Sequence, residues 1–174
     1  LLSDLLPLPI PRPLLVGAPS PAHPRSFWGG PLLPGVELLH AEAPDPARVA
    51  AALGRFLRVL HSPGLVAQLH RAAPGALAVI PLDPNGRADA ASVADRGRER
   101  MAAIEAGPGL RAGVAQLLDR AAALPRPRLR PVLSHGDLHL RHVLLEDGAI
   151  SGVIDWGDLC FTDRSVDLGI AYAA

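Results

Sequence analysis

Apolar side chains recur at Val49, Leu53, Phe56, Leu57 and Leu60, a spacing that lays one continuous stripe along a helix. Asp45 stands where an N-cap is wanted, and Pro46 occupies the first helical position, where its missing N–H costs nothing. The segment 45–60 is therefore predicted to be helical. Upstream, many of the 19 prolines interrupt the pattern. There "PLPIPRPLLVG" reads as extended chain entering a short strand, and "SFWGGPLLPGVEL" as a strand breaking into a turn. "LDPNGRAD" at 82–89 is a turn cluster, followed by Ala-rich helical patterns over 90–106 and 109–124 on either side of "GPG". Three helices are thus expected before residue 129. From there the period shortens: "RPVLSHG" is a brief apolar run, and "HVLLEDGAISGVID" is two apolar runs about Glu-Asp-Gly, a hairpin signal with its turn at Asp147 and Gly148. Antiparallel pairing about that turn is predicted to return Asp155 to the neighbourhood of Asp137 and His142. The closing "VDLGIAYAA" is an apolar helical pattern with no cap, Gly stop or polar tail, so both ends of the chain look cut.

Length and charge narrow the function classes. The 174 residues suffice for one unit with a real core. Seventeen acidic residues balance 17 basic ones, leaving no basic field for nucleic acid or an anionic membrane, so neither is expected as a partner. Every basic residue is arginine; chemistry that needs a lysine amine cannot be completed by this chain. The single cysteine, Cys160, forms no internal disulfide, reads as a buried inert thiol and suits a reducing cytoplasm. No stretch has the length of a membrane span, and the start lacks the basic region of a signal peptide.

The candidate chemistry lies in "SHGDLHLRHVLLEDGAISGVIDWGD", residues 134–158. Isolated groups such as His40, Asp147 or Asp163, taken singly, read as caps or solvated side chains. Here several titratable groups converge from two loops, which repels unless a cation or a function compensates. Two chemistries fit. His135, Asp137, His139 and His142 have the residue types and spacing of ligands for a zinc-like ion that activates water. Alternatively, Asp137 serves as general base toward a substrate hydroxyl, while Asp155 and the residue at 142 hold a divalent cation on nucleotide phosphates.

The whole string "HGDLHLRHVLL", then "GVIDWGD", then "TDRSVDLGIAYA", resembles the aminoglycoside phosphotransferase and choline kinase-like family, relatives of protein kinases. That resemblance implies an α+β, mainly α fold: the kinase-like C-terminal lobe with a β-hairpin presenting the catalytic and metal loops. It implies that His135 and Asp137 belong to the catalytic loop, with Asp137 as base and His135 bracing the loop. Asp155 matches the magnesium aspartate, with position 142 as its companion. Asp163 and Asp167 match a supporting segment, Asp167 accepting backbone N–H groups of the catalytic loop. "LLPGVEL" resembles the stretch after the interlobe hinge, which puts Leu32 and Leu33 on the nucleotide side. Residues 1–40 then correspond to the tail of an N-terminal lobe and the hinge, and 41–174 to the catalytic lobe. Trp156 and Leu168 look like core, and His139 like a loop-packing or substrate-side residue.

The activity so implied is transfer of the γ-phosphate of ATP, or GTP, with Mg2+, to a small-molecule hydroxyl. Two departures qualify it. Position 142, Asn in the family pattern, is His, a poorer magnesium partner that makes the second metal contact water-mediated, weaker or shifted toward manganese, and keeps a metal-dependent hydrolase in view. The family's phosphate-pairing lysine and its sheet have no counterpart before residue 1, which predicts a fragment inactive alone; a catalytically silent binding module is the other alternative. Residues 60–125 carry seven arginines against six acidic residues and do not name an acceptor.

Overall fold

The computed structural model describes residues 1–125 and 130–172. The beginning of the apolar run predicted from 129 and the last two residues of the terminal pattern lie outside these. Strands β1 (Leu15–Gly17) and β2 (Phe27–Gly29) pair antiparallel near the start, and the short β3 (Val36–Glu37) leads into helix α1 (Pro46–Leu60). Asp45 caps α1 by accepting from the N–H groups of Ala47 and Arg48 at 2.9 and 3.2 Å. All five members of the apolar stripe are buried, Phe56 and Leu60 completely.

A further helix, α2 (Pro63–Ala72), follows at once, so four longer helices rather than three precede residue 129 among the described residues. Its start repeats the device of α1: Ser62 caps through Leu65 N–H at 3.1 Å, and Pro63 takes the first turn. Leu65 and Leu69 turn inward one turn apart. Helices α3 (Ala90–Ala102) and α4 (Pro108–Ala122) pack on each other, and Arg98 of α3 bridges to Asp119 of α4 at 2.8 Å. Helix α3 ends four residues before the predicted 106. There the Arg111 guanidinium takes the carbonyls of Met101, Ile104 and Ala106, which ends the helix and fixes the connection.

The second half is built on two small antiparallel pairings. Strand β4 (Val132–Ser134) pairs with β7 (Cys160–Thr162). The predicted hairpin is formed by β5 (Val143–Glu146) and β6 (Ala149–Val153), and β3 adds to its free edge. Its turn residues Asp147 and Gly148 both have positive φ, +51° and +70°, the condition for a two-residue turn whose twist matches the strands. A short helix, α5 (Ser165–Leu168), follows β7. The core joins the stripe of α1 to Leu133, Leu138, Val143, Leu145 and Val153, so the hairpin and the residue following Asp137 rest on the same helix. Trp156 packs against that core edge-on to Phe56, with 6.2 Å between ring centroids. Leu168, expected in the core, is 45% exposed: its neighbour Asp167 takes the inward position of α5 instead.

Burial of Cys160 pushes its thiol up to about 11, leaving almost no thiolate at neutral pH, in keeping with an inert packing role. Among the described residues no helix is long and apolar enough to cross a membrane.

Candidate active site

The two loops that the sequence singles out meet at the open end of the hairpin. Val143 lies opposite Val153, and the N–H of Ile154 donates to the carbonyl of His142 at 2.9 Å, so residues 142 and 155 emerge side by side. His142 then links the loops. Its Nδ1–H donates to the Asp137 carbonyl at 2.8 Å, and its Nε2 lies 3.3 Å from Asp155 Oδ2. Since the carbonyl can only accept, Nδ1 carries the proton of that bond, which leaves Nε2 to face the Asp155 carboxylate. A lone pair and a carboxylate facing each other at this distance call for a proton or a cation between them.

Asp155 is held in the left-handed region at φ +62°, ψ +63°, uncommon for a residue other than glycine. Its carboxylate is left largely open to solvent. Asp137 is 40% exposed, accessible to a substrate yet framed by neighbours. His139 Nε2 lies 4.0 Å from Asp137 Oδ2, and one ligand atom each from Asp137, His139 and His142 lie within 4.8 Å of one another. His139 Nδ1 is already engaged, accepting from Arg141 N–H at 3.2 Å.

Beneath this surface lies a buried scaffold. Asp167 is wholly inaccessible, and its carboxylate accepts from the N–H groups of His135 and Gly136, each at 3.0 Å, and contacts His61 Nε2 at 2.8 Å. The ring of His135 is equally buried. Nε2–H donates to the Ile154 carbonyl at 2.9 Å, while Nδ1 accepts from Asp137 N–H at 3.3 Å. Both nitrogens thus serve the backbones of the two loops, and burial lowers the pKa of this ring, favouring the neutral form those bonds require.

Gly136 takes φ +88°, and a Cβ there would stand 2.1 Å from the Asp158 carbonyl oxygen. Gly136→Ala is therefore expected to cost at least about 2 kcal/mol and to displace the next residue, Asp137. Chemical denaturation beside the unsubstituted chain checks this; a loss below about 0.5 kcal/mol would show that the loop adjusts freely.

Other candidates sit apart. Asp163 accepts from Ser165 N–H at 2.9 Å, which lowers its pKa and fixes the start of α5. Leu33 packs over Gly152 of β6, and Leu32 projects into solvent at 95% exposure. An apolar cavity of about 490 Å3 between α1, Leu38, Leu39, Leu140 and Ile170 contains none of the ionisable groups above.

The arrangement also brings in a residue with no sequence signal. Arg87, from the turn after β-bridge residue Leu82, places Nη2 3.2 Å from Asp137 Oδ1 and Nη1 2.8 Å from Asp158 Oδ2, and also donates to the Gly136 carbonyl.

A family model described as "Phosphotransferase enzyme family" matches residues 1–174. The chain belongs to this family. A search of curated protein sequences returns no match. Among solved structures, the GDP complex of wild-type aminoglycoside 2'-phosphotransferase-IIIa is similar with TM-score 0.66 at 19% identity, over 94% of this chain and 55% of that one. The macrolide 2'-phosphotransferase MphH apoenzyme from Brachybacterium faecium gives 0.52 at 25% identity, over 96% and 53%. A thermostable mutant of aminoglycoside phosphotransferase APH(4)-Ia, in ternary complex with ADP and hygromycin B, gives 0.57 at 20% identity, over 95% and 55%. The phosphotransferase family member described here thus has the kinase-like α+β fold and spans about half the length of these relatives.

Proposed function

We propose that this chain forms the acceptor and metal side of a nucleotide-dependent phosphotransferase that moves the γ-phosphate of ATP, or GTP, to a hydroxyl of a small molecule. The observation that carries the reading is His142, whose two ring nitrogens connect the Asp137 loop to the Asp155 carboxylate. Two carboxylate loops fixed at one point are what positioning a nucleophile and a metal-bound triphosphate requires.

In this reading Asp137 orients the acceptor hydroxyl and takes its proton. Asp155 offers the oxygen ligand that a hard cation prefers, and an Mg2+ held there would neutralise charge on the transferring phosphate. The donor set fits such an ion through Asp155; His142 nitrogen joins it through water, or directly with a softer ion. His135 braces the two loops, and Asp167, with Asp163 farther out, supports them from below. Leu33, over Gly152, and Leu32 would lie on the nucleotide side. Because the chain spans about half of its solved relatives, the second wall of the nucleotide cleft, with the phosphate-pairing cation, would come from a preceding lobe.

The test is nucleotide turnover with Mg2+, measured on this chain alone and on a protein in which the same residues follow an N-terminal lobe. Turnover is expected only from the longer protein. In that protein His142→Asn, which restores an amide oxygen, is expected to lower the Mg2+ concentration for half-maximal rate several-fold while the Mn2+ requirement changes less. Stoichiometric, tightly held zinc without nucleotide binding would instead favour hydrolysis.

A further inference from the structure

Arg87 is absent from the motifs, yet the chain devotes a constructed turn to it. Asp83, at φ +35°, accepts the N–H of Arg87 at 2.9 Å on one carboxylate oxygen and that of Ala88 at 3.1 Å on the other. The same Asp83 donates its own N–H to the Phe161 carbonyl at 2.9 Å, and Phe161 N–H returns a bond to the Pro81 carbonyl. The backbone carrying Arg87 is thereby anchored to β7, directly beyond Asp158. Its guanidinium, 30% exposed, is shared among three acceptors on the two loops: the Gly136 carbonyl and Asp137 Oδ1 on one, Asp158 Oδ2 on the other. Asn85 of the same turn reaches Asp158 Oδ1 at 3.5 Å.

We propose that Arg87 is a positioning residue for phosphoryl transfer, locking the Asp137 carboxylate so that Oδ2, and not Oδ1, receives the acceptor hydroxyl. The inference rests on the phosphotransferase reading. A planar guanidinium sets direction as well as charge, which a lysine amine would not. With Oδ1 held, the acceptor must come to Asp137 from the Oδ2 side, where His139 stands. In the step so arranged, the acceptor oxygen bonds to the γ-phosphorus and its proton passes to Asp137 Oδ2. The bond from that phosphorus to the bridging oxygen breaks, its electron pair leaving on the nucleoside diphosphate. Partly exposed ion pairs stabilise a fold little, so the energy of these contacts is a weaker reason for the turn than the orientation they impose.

The experiment compares wild type with Arg87→Ala and Arg87→Lys in the longer protein, recording kcat, the nucleotide KM, thermal unfolding, and the response to millimolar guanidinium chloride. Arg87→Ala is expected to lower kcat about 100-fold, the scale on which misplacing a reacting group is felt, with nucleotide KM within threefold. Free guanidinium should restore part of the loss, and lysine should restore less than tenfold. Wild-type kcat in Arg87→Ala would overturn the inference alone. So would a matched rise in nucleotide KM, or a loss of folded protein that guanidinium does not repair. No nucleotide turnover by wild type would overturn the phosphotransferase reading, and this inference with it.

Discussion

Replacing Asp167 by Ala is expected to lower folding stability by about 3–5 kcal/mol, the range for stripping one partner from a buried charged network. The side chain is completely buried and binds three groups from two parts of the chain: His135 N–H, Gly136 N–H and His61. Alanine would leave two backbone donors without water or partner, each costing about 1–3 kcal/mol, and would orphan His61 as well. A domain of this size has only about 5–15 kcal/mol in total, so much of the protein would unfold under mild denaturant. Asp167→Asn separates shape from charge. It keeps one acceptor oxygen but turns an amide NH2 toward a donor, so roughly half the loss is expected. Urea midpoints for the three proteins decide the matter, and a loss under about 1 kcal/mol for alanine would mean that water or a rearranged loop replaces the carboxylate. Because the scaffold lies under the Asp137 loop, the alanine variant should also be the one in which that loop first becomes accessible to protease.

The parts of the fold that were legible in the sequence are those where local and tertiary requirements coincide. Helix α1 announced itself through a cap, an N1 proline and a five-member stripe, and each member is buried. The hairpin did so through Asp147 and Gly148, whose positive φ values are what the turn demands. Its consequence, Asp155 beside His142, followed from pairing alone. Helix α2 carried a comparable signal in Ser62 and Pro63, but with two buried residues in ten its stripe is too short to register as a period. Leu168 departs from the expected core position because a four-residue helix has only one inward position here, and Asp167 occupies it to serve the loop. Arg87 could not have been found from spacing. Fifty residues separate it from Asp137, and its reach depends on a turn anchored to β7. Side chains that work through long-range contacts leave no local pattern, and sequence reading favours the motif over the residue that frames it.

Asp137→Asn is expected to lower phosphoryl transfer by the longer protein about 100- to 1,000-fold, toward the low end of what a general base contributes. The reason for the low end is the reaction: when the bond to the leaving group breaks early, the acceptor hydroxyl keeps its proton late, and positioning outweighs basicity. Asparagine fills the same space and can still accept from Arg87 Nη2 through its oxygen, so the frame survives while the proton acceptor does not. Nucleotide affinity should therefore stay within about threefold of wild type, since Asp137 is taken to meet the acceptor and not the base or ribose. Asp137→Ala adds the loss of the frame to the loss of basicity and should fall further, whereas in a protein where the carboxylate acts only as a proton sink the two variants would be equal. Equal rates for Asn and Ala would shift the weight of catalysis from orientation to proton transfer, and unimpaired rates for both would remove Asp137 from the reaction altogether. If Arg87 sets the orientation, Arg87→Ala combined with Asp137→Ala should cost less than the product of the single losses, because each removes one half of the same contact.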